Sequence, residues 1–225
     1  NWTDGIQWTA PIPNQIDGNS VSLSVAAVTR DTILVRSAPT PGMFVYASLG
    51  WQVTAGLDAE TGAVLWGPVN HTLTLYEDIS LAQAGDGVYV LYNKDRHEAS
   101  GYSLTTGNKM WGPVALKGNA WTPLSVSADI AYGMCFIWDA GGWVNAINLQ
   151  TGDVEWSFNR GSAGYDTPYG VYLLWYNDAI ADGKIYLSEG AMYNPPLHPS
   201  RTICLNATTD NPDGELLWSA LSYTG

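Results

Sequence analysis

Basic residues are scarce in this chain, and charges of either sign are few. Its 225 residues include 9 Lys and Arg against 21 Asp and Glu, which gives a net charge of −12. No basic run is present that could neutralise a phosphate backbone. We therefore expect no nucleic-acid partner.

Long apolar runs are also missing. No stretch approaches the roughly 20 apolar residues that a membrane helix requires. The first residues, NWTDGIQW, lack the basic and then apolar pattern of an export signal. We expect a soluble, already processed chain and no membrane insertion by this segment.

Cysteine and histidine are rare, which limits metal chemistry. Cys135 and Cys204 are far apart in sequence and have no partner at zinc-ligand spacing. We expect two buried free thiols; a disulfide stays open as the alternative, because sequence separation says nothing about sulfur geometry. His71, His97 and His198 fall in three different connections, which favours solvated loop histidines.

Motifs for hydrolysis and calcium binding are absent too. The chain has neither a GxSxG elbow nor a DxDxDG loop. Asp139, Asp166 and Glu189 are chemically suitable oxygen donors for calcium. Without a grouping motif, we expect these carboxylates to be solubilising surface charge.

Apolar residues and turn residues are abundant instead. Hydrophobic residues make up 46% of the chain, and 24 Gly and 12 Pro interrupt it too often for long helices. This mixture predicts an all-β protein.

One short pattern recurs four times along the chain. The copies LDAETGAVLW, YSLTTGNKMW, INLQTGDVEW and LNATTDNPDGELLW end at Trp66, Trp111, Trp156 and Trp218. The first two steps are 45 residues each, and the third is 62, partly because residues 210–213 are inserted into the last copy. A fixed period of this size indicates a supersecondary unit that stacks on copies of itself.

Each unit contains four strand-like runs separated by turns that usually contain Gly, which is typical of a propeller blade. We predict a β-propeller with four complete, four-stranded antiparallel blades at residues 20–69, 70–116, 117–159 and 160–223. Residues 1–13, around Trp8, are predicted to be the outer strand of a preceding blade.

The spacing within the pattern has a mechanical interpretation. Its glycine lies at the hairpin between the third and fourth strands, where a positive φ is needed. The Asp or Asn three residues before the Thr is expected to cap turn amides, and the Trp to dock on the next blade. The predicted docking residues are Trp66, Trp111, Trp156, Trp218, Gly62, Gly107, Gly152 and Gly214.

These residues resemble the tryptophan-docking repeat of the quinoprotein propeller family, whose consensus is AxDxxTGxxxW. The first copy has Gly56, Asp58, Thr61, Gly62 and Trp66 at the consensus positions. The resemblance covers about 200 of the 225 residues. It implies a β-propeller, and because family enzymes close eight blades, it implies that four blades are part of a larger ring.

The family hosts several functions. It includes pyrroloquinoline-quinone dehydrogenases, an outer-membrane assembly lipoprotein that is an interaction scaffold, and secreted archaeal repeat proteins. Residues 176–190 and 203–209 of this chain are similar to segments of the last group. Many quinone-binding members carry adjacent cysteines, which Cys135 and Cys204 cannot supply, and no CxxCH haem motif is present. We therefore expect no cofactor, with pyrroloquinoline quinone and calcium as the alternative.

Insertions between the second and third strands indicate a binding face. They fall at residues 38–50, 94–99 and 191–200, and connections between blades emerge on the same face. The predicted binding-face residues are Trp121, Tyr165, Asp166, Tyr169, Tyr193 and His198.

Three Asn-X-Thr triplets match the glycosylation acceptor pattern, at Asn1, Asn70 and Asn206. Glycosylation would require export, so we expect an extracellular or cell-envelope protein.

The leading functional hypothesis is a non-catalytic propeller scaffold for binding or assembly. An open set of blades exposes unpaired surface and should be completed by missing sequence, a second copy or a protein partner. Dimerisation into an eight-bladed ring, closure of a four-bladed ring and filament growth all remain open. The alternative is a fragment of a quinone- and calcium-dependent alcohol or sugar dehydrogenase.

Overall fold

The computed structural model describes residues 5–37, 51–72, 79–162, 172–190 and 201–221. This part of the chain consists of strands, turns and a short 3-10 turn at Thr122–Leu124, and it contains no α-helix. The predicted all-β class is therefore confirmed.

Sixteen of the strands form four sheets of four. In blade one these are β3 Leu23–Val28, β4 Thr32–Ser37, β5 Trp51–Asp58 and β6 Val64–Thr72; in blade two, β7 Ile79–Gly85, β8 Val88–Asn93, β9 Glu98–Ser103 and β10 Lys109–Ala115. In blade three these are β11 Val126–Ala131, β12 Met134–Asp139, β13 Trp143–Asn148 and β14 Val154–Asn159; in blade four, β15 Leu173–Ala181, β16 Lys184–Gly190, β17 Arg201–Asn206 and β18 Leu216–Leu221.

Within each blade, consecutive strands pair antiparallel in chain order. The innermost strands of successive blades contact one another, β3 with β7, β7 with β11, and β11 with β15. Four blades fanned around a common inner edge form a partial propeller, as the repeat predicts.

Two-residue turns explain the hairpins between the first and second strands. In blades two, three and four, the pairs Asp86-Gly87, Tyr132-Gly133 and Asp182-Gly183 have positive φ at both residues. This is the type I′ geometry whose twist matches that of the flanking strands.

The turn between the third and fourth strands is braced by its own side chains. In blade one it spans Asp58–Ala63, and we call it and its equivalents the docking hairpins. Asp58 Oδ1 accepts hydrogen bonds from the Thr61 amide and the Thr61 hydroxyl, each at 2.7 Å. These bonds lower the pKa of Asp58. Gly62 has a φ of +74°, which a side chain would oppose.

The leading segment differs from its prediction. Of residues 1–13, the structure describes 5–13 and assigns no strand to them. An outer strand forms its ladder with the third strand of its own blade, and within the described residues no such neighbour lies beside this segment. The short strands β1 Gln15–Ile16 and β2 Asn19–Ser20 pair only with each other.

Candidate functional site

Three tryptophans at the repeat position join one blade to the next. Trp66 and Trp111 are buried, and their indole N–H groups donate to the carbonyls of Leu104 at 2.6 Å and Leu149 at 2.8 Å. Each acceptor lies within the docking hairpin of the following blade. The sequence spacing therefore holds both an apolar ring and a hydrogen-bond donor against the neighbouring blade.

The hairpin glycines have a second role that the sequence pattern did not indicate. A Cβ built on Gly107 would overlap a ring carbon of Trp66, and one on Gly152 would lie 2.7 Å from the Trp111 ring. The glycine therefore supplies both a left-handed turn and the space for the ring.

The interface between blades three and four accommodates the inserted residues 210–213. The Pro212 carbonyl accepts a hydrogen bond from the Ser157 amide on β14 at 3.0 Å, which ties the insertion to the preceding blade. Trp156 is fully buried here, but within the described residues its indole N–H has no acceptor. At this interface the ring stays packed, but the hydrogen bond that Trp66 and Trp111 form is missing among the described residues.

The fourth tryptophan is the exception. Trp218 is 44% exposed, whereas Trp66, Trp111 and Trp156 are 8%, 7% and 1% exposed. Its neighbours Leu216 and Leu217 are no more exposed than Val64 and Leu65, their equivalents in blade one. The indole itself, which we call the Trp218 flank, is therefore the surface that lacks its usual cover.

The docking hairpin of blade one is filled from within the same chain. A Cβ on Gly62 would lie 2.6 Å from the Trp8 ring, and the Trp8 indole N–H donates to the Ala59 carbonyl at 3.3 Å. Trp8 therefore takes the position of a docking tryptophan although its segment forms no strand. Its hydrogen bond is longer than those of Trp66 and Trp111, and its ring is only half-buried.

The predicted binding face is described only in part. Trp121 is half-buried against Ala140 and Leu173, so its ring serves partly as packing. The other predicted residues of this face lie outside the described residues: Tyr165, Asp166, Tyr169, Tyr193 and His198.

Two carboxylates near this face correct an expectation. Asp139 and Glu189 were predicted as solvated charge, but both are buried. Asp139 Oδ1 accepts from the amides of Gly141 at 2.7 Å and Trp143 at 3.2 Å, and burial raises its pKa to about 6. The burial of both carboxylates depends on tertiary contacts, which the local sequence does not show.

Glu189 pairs with Arg160, whose guanidinium lies 4.8 Å from the centre of the Tyr172 ring. A carboxylate neutralised by arginine and another turned to backbone amides do not fit a calcium site. The described residues contain no group of three or more potential metal ligands.

The remaining predicted residues lie as follows. Cys135 and Cys204 are buried free thiols, and burial raises the pKa of Cys135 to about 12. Of the three sequons, Asn70 is exposed on β6. Asn206 is half-buried at the end of β17, where its amide donates to Glu215 at 2.7 Å, and Asn1 lies outside the described residues.

A polar and aromatic cluster between blades one and two was missed by the sequence analysis. The Thr54 hydroxyl is 2.8 Å from His71 Nε2 and 3.3 Å from the Tyr89 hydroxyl. Tyr102 stacks on Tyr89 with ring centres 5.1 Å apart and meets the His71 ring edge-on at 4.8 Å. We call these four residues the Thr54 cluster.

The repeat shows how unusual this cluster is. At the next interface the four equivalent residues are Ala99, Leu116, Cys135 and Ile147, all buried in one apolar core. At the third interface the equivalents are Val144, Gly161, Ile185 and Leu205. Only the interface of blades one and two places hydrogen-bonding side chains at these positions, among the described interfaces. Alignment of the copies beyond their motif would have found this signal.

His71 also corrects a prediction. It was expected to be a solvated loop histidine, but it is buried on β6. Burial, and to a lesser degree the charge of Lys109, lowers its pKa to about 4. The sequence placed it in a connection because β6 extends three residues beyond the predicted end of blade one.

The neutral form of His71 should make stability pH-dependent. Because its pKa is lowered from 6.5 to about 4, its stabilising contribution is complete above pH 6.5 and is lost as the pH falls towards 4. When the pH is lowered from 7.5 to 4.5, the free energy of unfolding of the wild type should fall by about 2–3 kcal/mol more than that of His71→Gln. Urea unfolding at the two pH values measures the difference. Asp139 titrates in both proteins and cancels in the comparison. Equal losses would contradict a neutral His71.

Comparisons with known proteins give structural likenesses. No family model matches the chain, and no curated protein matches it. The chain resembles a europium-containing methanol dehydrogenase (TM-score 0.51, 13% identity, 88% of this chain and 44% of that chain). It also resembles Hsv2p from Kluyveromyces lactis (0.53, 9%, 87% and 52%) and BamB from Moraxella catarrhalis (0.49, 16%, 87% and 63%).

The fold is that of β-propellers. At these identities the likenesses establish the fold alone, and the chain spans less than two thirds of each of these three proteins. In the described residues, no helix is long and apolar enough to cross a membrane.

Proposed function

We propose that this chain is a β-propeller scaffold for binding and assembly, outside the cell or in the cell envelope, and that its Trp218 flank docks another blade. The observation that carries the proposal is the contrast in exposure between Trp218 and its three equivalents. The methanol dehydrogenase among the similar structures is an enzyme by its name, so the fold itself favours no function.

The chain itself indicates what kind of surface would cover Trp218. Trp66 and Trp111 each dock on a hairpin that offers a glycine and an inward carbonyl. An indole removed from water in this way contributes both apolar burial and a satisfied N–H. The expected partner is therefore a blade whose docking hairpin has no tryptophan on it.

Blade one of a second copy does not meet this requirement while Trp8 is in place. Its hairpin glycine, Gly62, is already covered by the Trp8 ring. A ring or a filament made from copies of this chain would therefore require displacement of Trp8. We propose a partner with an empty hairpin, from a different chain or from further sequence of this protein.

The experiment empties the hairpin in this chain. Trp8→Ala should expose Gly62 and create a partner for Trp218 of another copy, so we expect self-association at least tenfold stronger than that of the wild type, measured by sedimentation velocity across concentrations. Adding Trp218→Ser should abolish the gain. Met110→Ser, at a similarly exposed residue on β10, is the control and should preserve it.

Two outcomes would contradict the docking role. Trp8→Ala that stays monomeric at every concentration would show that the Trp218 flank does not recognise an empty hairpin. Association that persists after Trp218→Ser would show that another surface is responsible.

We further propose that the scaffold works without a resident cofactor. This is supported by the engagement of Asp139 and Glu189 with backbone amides and Arg160. The alternative, a fragment of a dehydrogenase that uses pyrroloquinoline quinone and calcium, would be favoured by saturable quinone binding in an absorbance titration with calcium. Use of the sequons and the likeness to secreted archaeal proteins stay predictions from the sequence.

A further inference from the structure

The Thr54 cluster borders a groove between blades one and two. The groove has a volume of about 650 Å³ and lies between β6 of blade one and strands β8 to β10 of blade two. His71 and Tyr102 contribute to its wall. Small-molecule sites commonly have volumes of about 300–1,000 Å³, so the groove has the size of a ligand site.

The described wall of this groove has more basic than acidic residues, unlike the chain as a whole. Among the described residues that line it, two are basic, Arg96 and Lys109, and one is acidic, Glu98. The chain as a whole has a net charge of −12. A local excess of positive charge on an acidic protein favours an anionic ligand.

Lys109 is the cation best placed to meet such a ligand. Its ammonium lies 5.7 Å from the centre of the Tyr102 ring. In the described part of the chain it forms no ion pair, and it is exposed at the groove. A carboxylate entering here would meet a charged donor that does not first have to leave another carboxylate.

The rest of the wall is rich in neutral hydrogen-bonding groups. Asn70, Thr72, Asn108 and Ser100 all line the groove, beside the aromatic ring of Tyr102. Amide and hydroxyl side chains of this kind both donate and accept hydrogen bonds, which suits ligand hydroxyls. Two other groove residues, His71 and Tyr102, belong to the Thr54 cluster, and their equivalents at the next interface, Leu116 and Ile147, are apolar.

We propose that this groove is a binding site for a small hydroxylated carboxylate of the sugar-acid class, with Lys109 pairing with its carboxylate. The groove lies between blades one and two, and the Trp218 flank lies on blade four. The proposal is therefore independent of the docking function, and each can fail without the other.

The test is a titration of the full chain with glucuronate, followed by NMR of the histidine rings. We expect saturable shifts of the His71 resonances on addition of glucuronate. Glucose, which lacks the carboxylate, should bind with an affinity at least tenfold lower. A bound anion should also raise the pKa of His71 from about 4, because a nearby negative charge favours the imidazolium.

Two variants distinguish binding at this groove from general attraction of an anion to the positive charges of the protein. Lys109→Gln should weaken glucuronate binding at least tenfold, while Lys184→Gln, which removes a charge from blade four, should leave it unchanged. Since Lys109 is exposed, folding should survive the change, and calorimetric melting checks this. The proposal is overturned by an absence of saturable shifts, by equal binding of glucose, or by equal binding to Lys109→Gln.

Discussion

Replacing Trp111 with alanine is expected to lower the free energy of unfolding by about 3–5 kcal/mol, the range for truncating a buried large aromatic residue. The ring is buried against Gly152 of the next blade, so truncation leaves a cavity at the interface. The Leu149 carbonyl would also lose its indole donor. Equilibrium unfolding in guanidinium chloride measures the change.

Trp218→Ala is the matched control because it makes the same chemical change at the same repeat position. Its ring is largely exposed, and surface substitutions usually change stability by about 0.5 kcal/mol or less. We therefore expect a loss below about 1 kcal/mol. Equal losses in the two variants would mean that inter-blade docking does not stabilise the propeller.

Gly107→Ala is expected to destabilise the chain by about 2–5 kcal/mol. Two effects combine: Gly107 has a φ of +72°, where a side chain costs about 1–2 kcal/mol. The new Cβ would also overlap the Trp66 ring, and overpacking of this kind costs about 1–3 kcal/mol. Thermal unfolding followed by circular dichroism would measure the loss.

Gly87→Ala separates these two effects. Gly87 has a φ of +82°, but a Cβ there would meet nothing within 4 Å. We expect it to show the backbone cost alone, about 1–2 kcal/mol. If Gly107→Ala were no worse than Gly87→Ala, the Trp66 ring would not be held against the hairpin.

The fold was predictable because four copies of one pattern point to the same local structure. The Thr61-Gly62 turn, the Asp58 cap and the spacing to Trp66 are all local, and local rules suffice for a hairpin. The stacking of blades also follows, since a repeated apolar face must be covered by its neighbour. The partial propeller was confirmed for these reasons.

Features that depend on tertiary contacts were not predictable in the same way. Nothing in the residues around His71 indicates that its ring meets Thr54 and Tyr102, which lie on two other strands. Likewise, strand propensity is a local signal, and it predicts a strand around Trp8 that the structure does not have. The ladder that would make it a strand requires a partner that the local sequence does not reveal.

The candidate site could have been located from the sequence only by comparing the copies with one another. Tyr89 and Tyr102 look ordinary in a strand, where aromatic residues are common. They become informative when Cys135 and Ile147 are seen at the same positions of the next unit. Deviation from an internal repeat is thus the sequence signal that marks this groove.

The position of Trp8 on blade one has a consequence for the size of any assembly. With Gly62 covered by Trp8, the four described blades have one uncovered docking tryptophan, Trp218, and no uncovered docking hairpin. Head-to-tail growth needs both on every subunit. Assembly through the Trp218 flank, as proposed, would then add a single partner to these blades, and further growth would require release of Trp8 from Gly62.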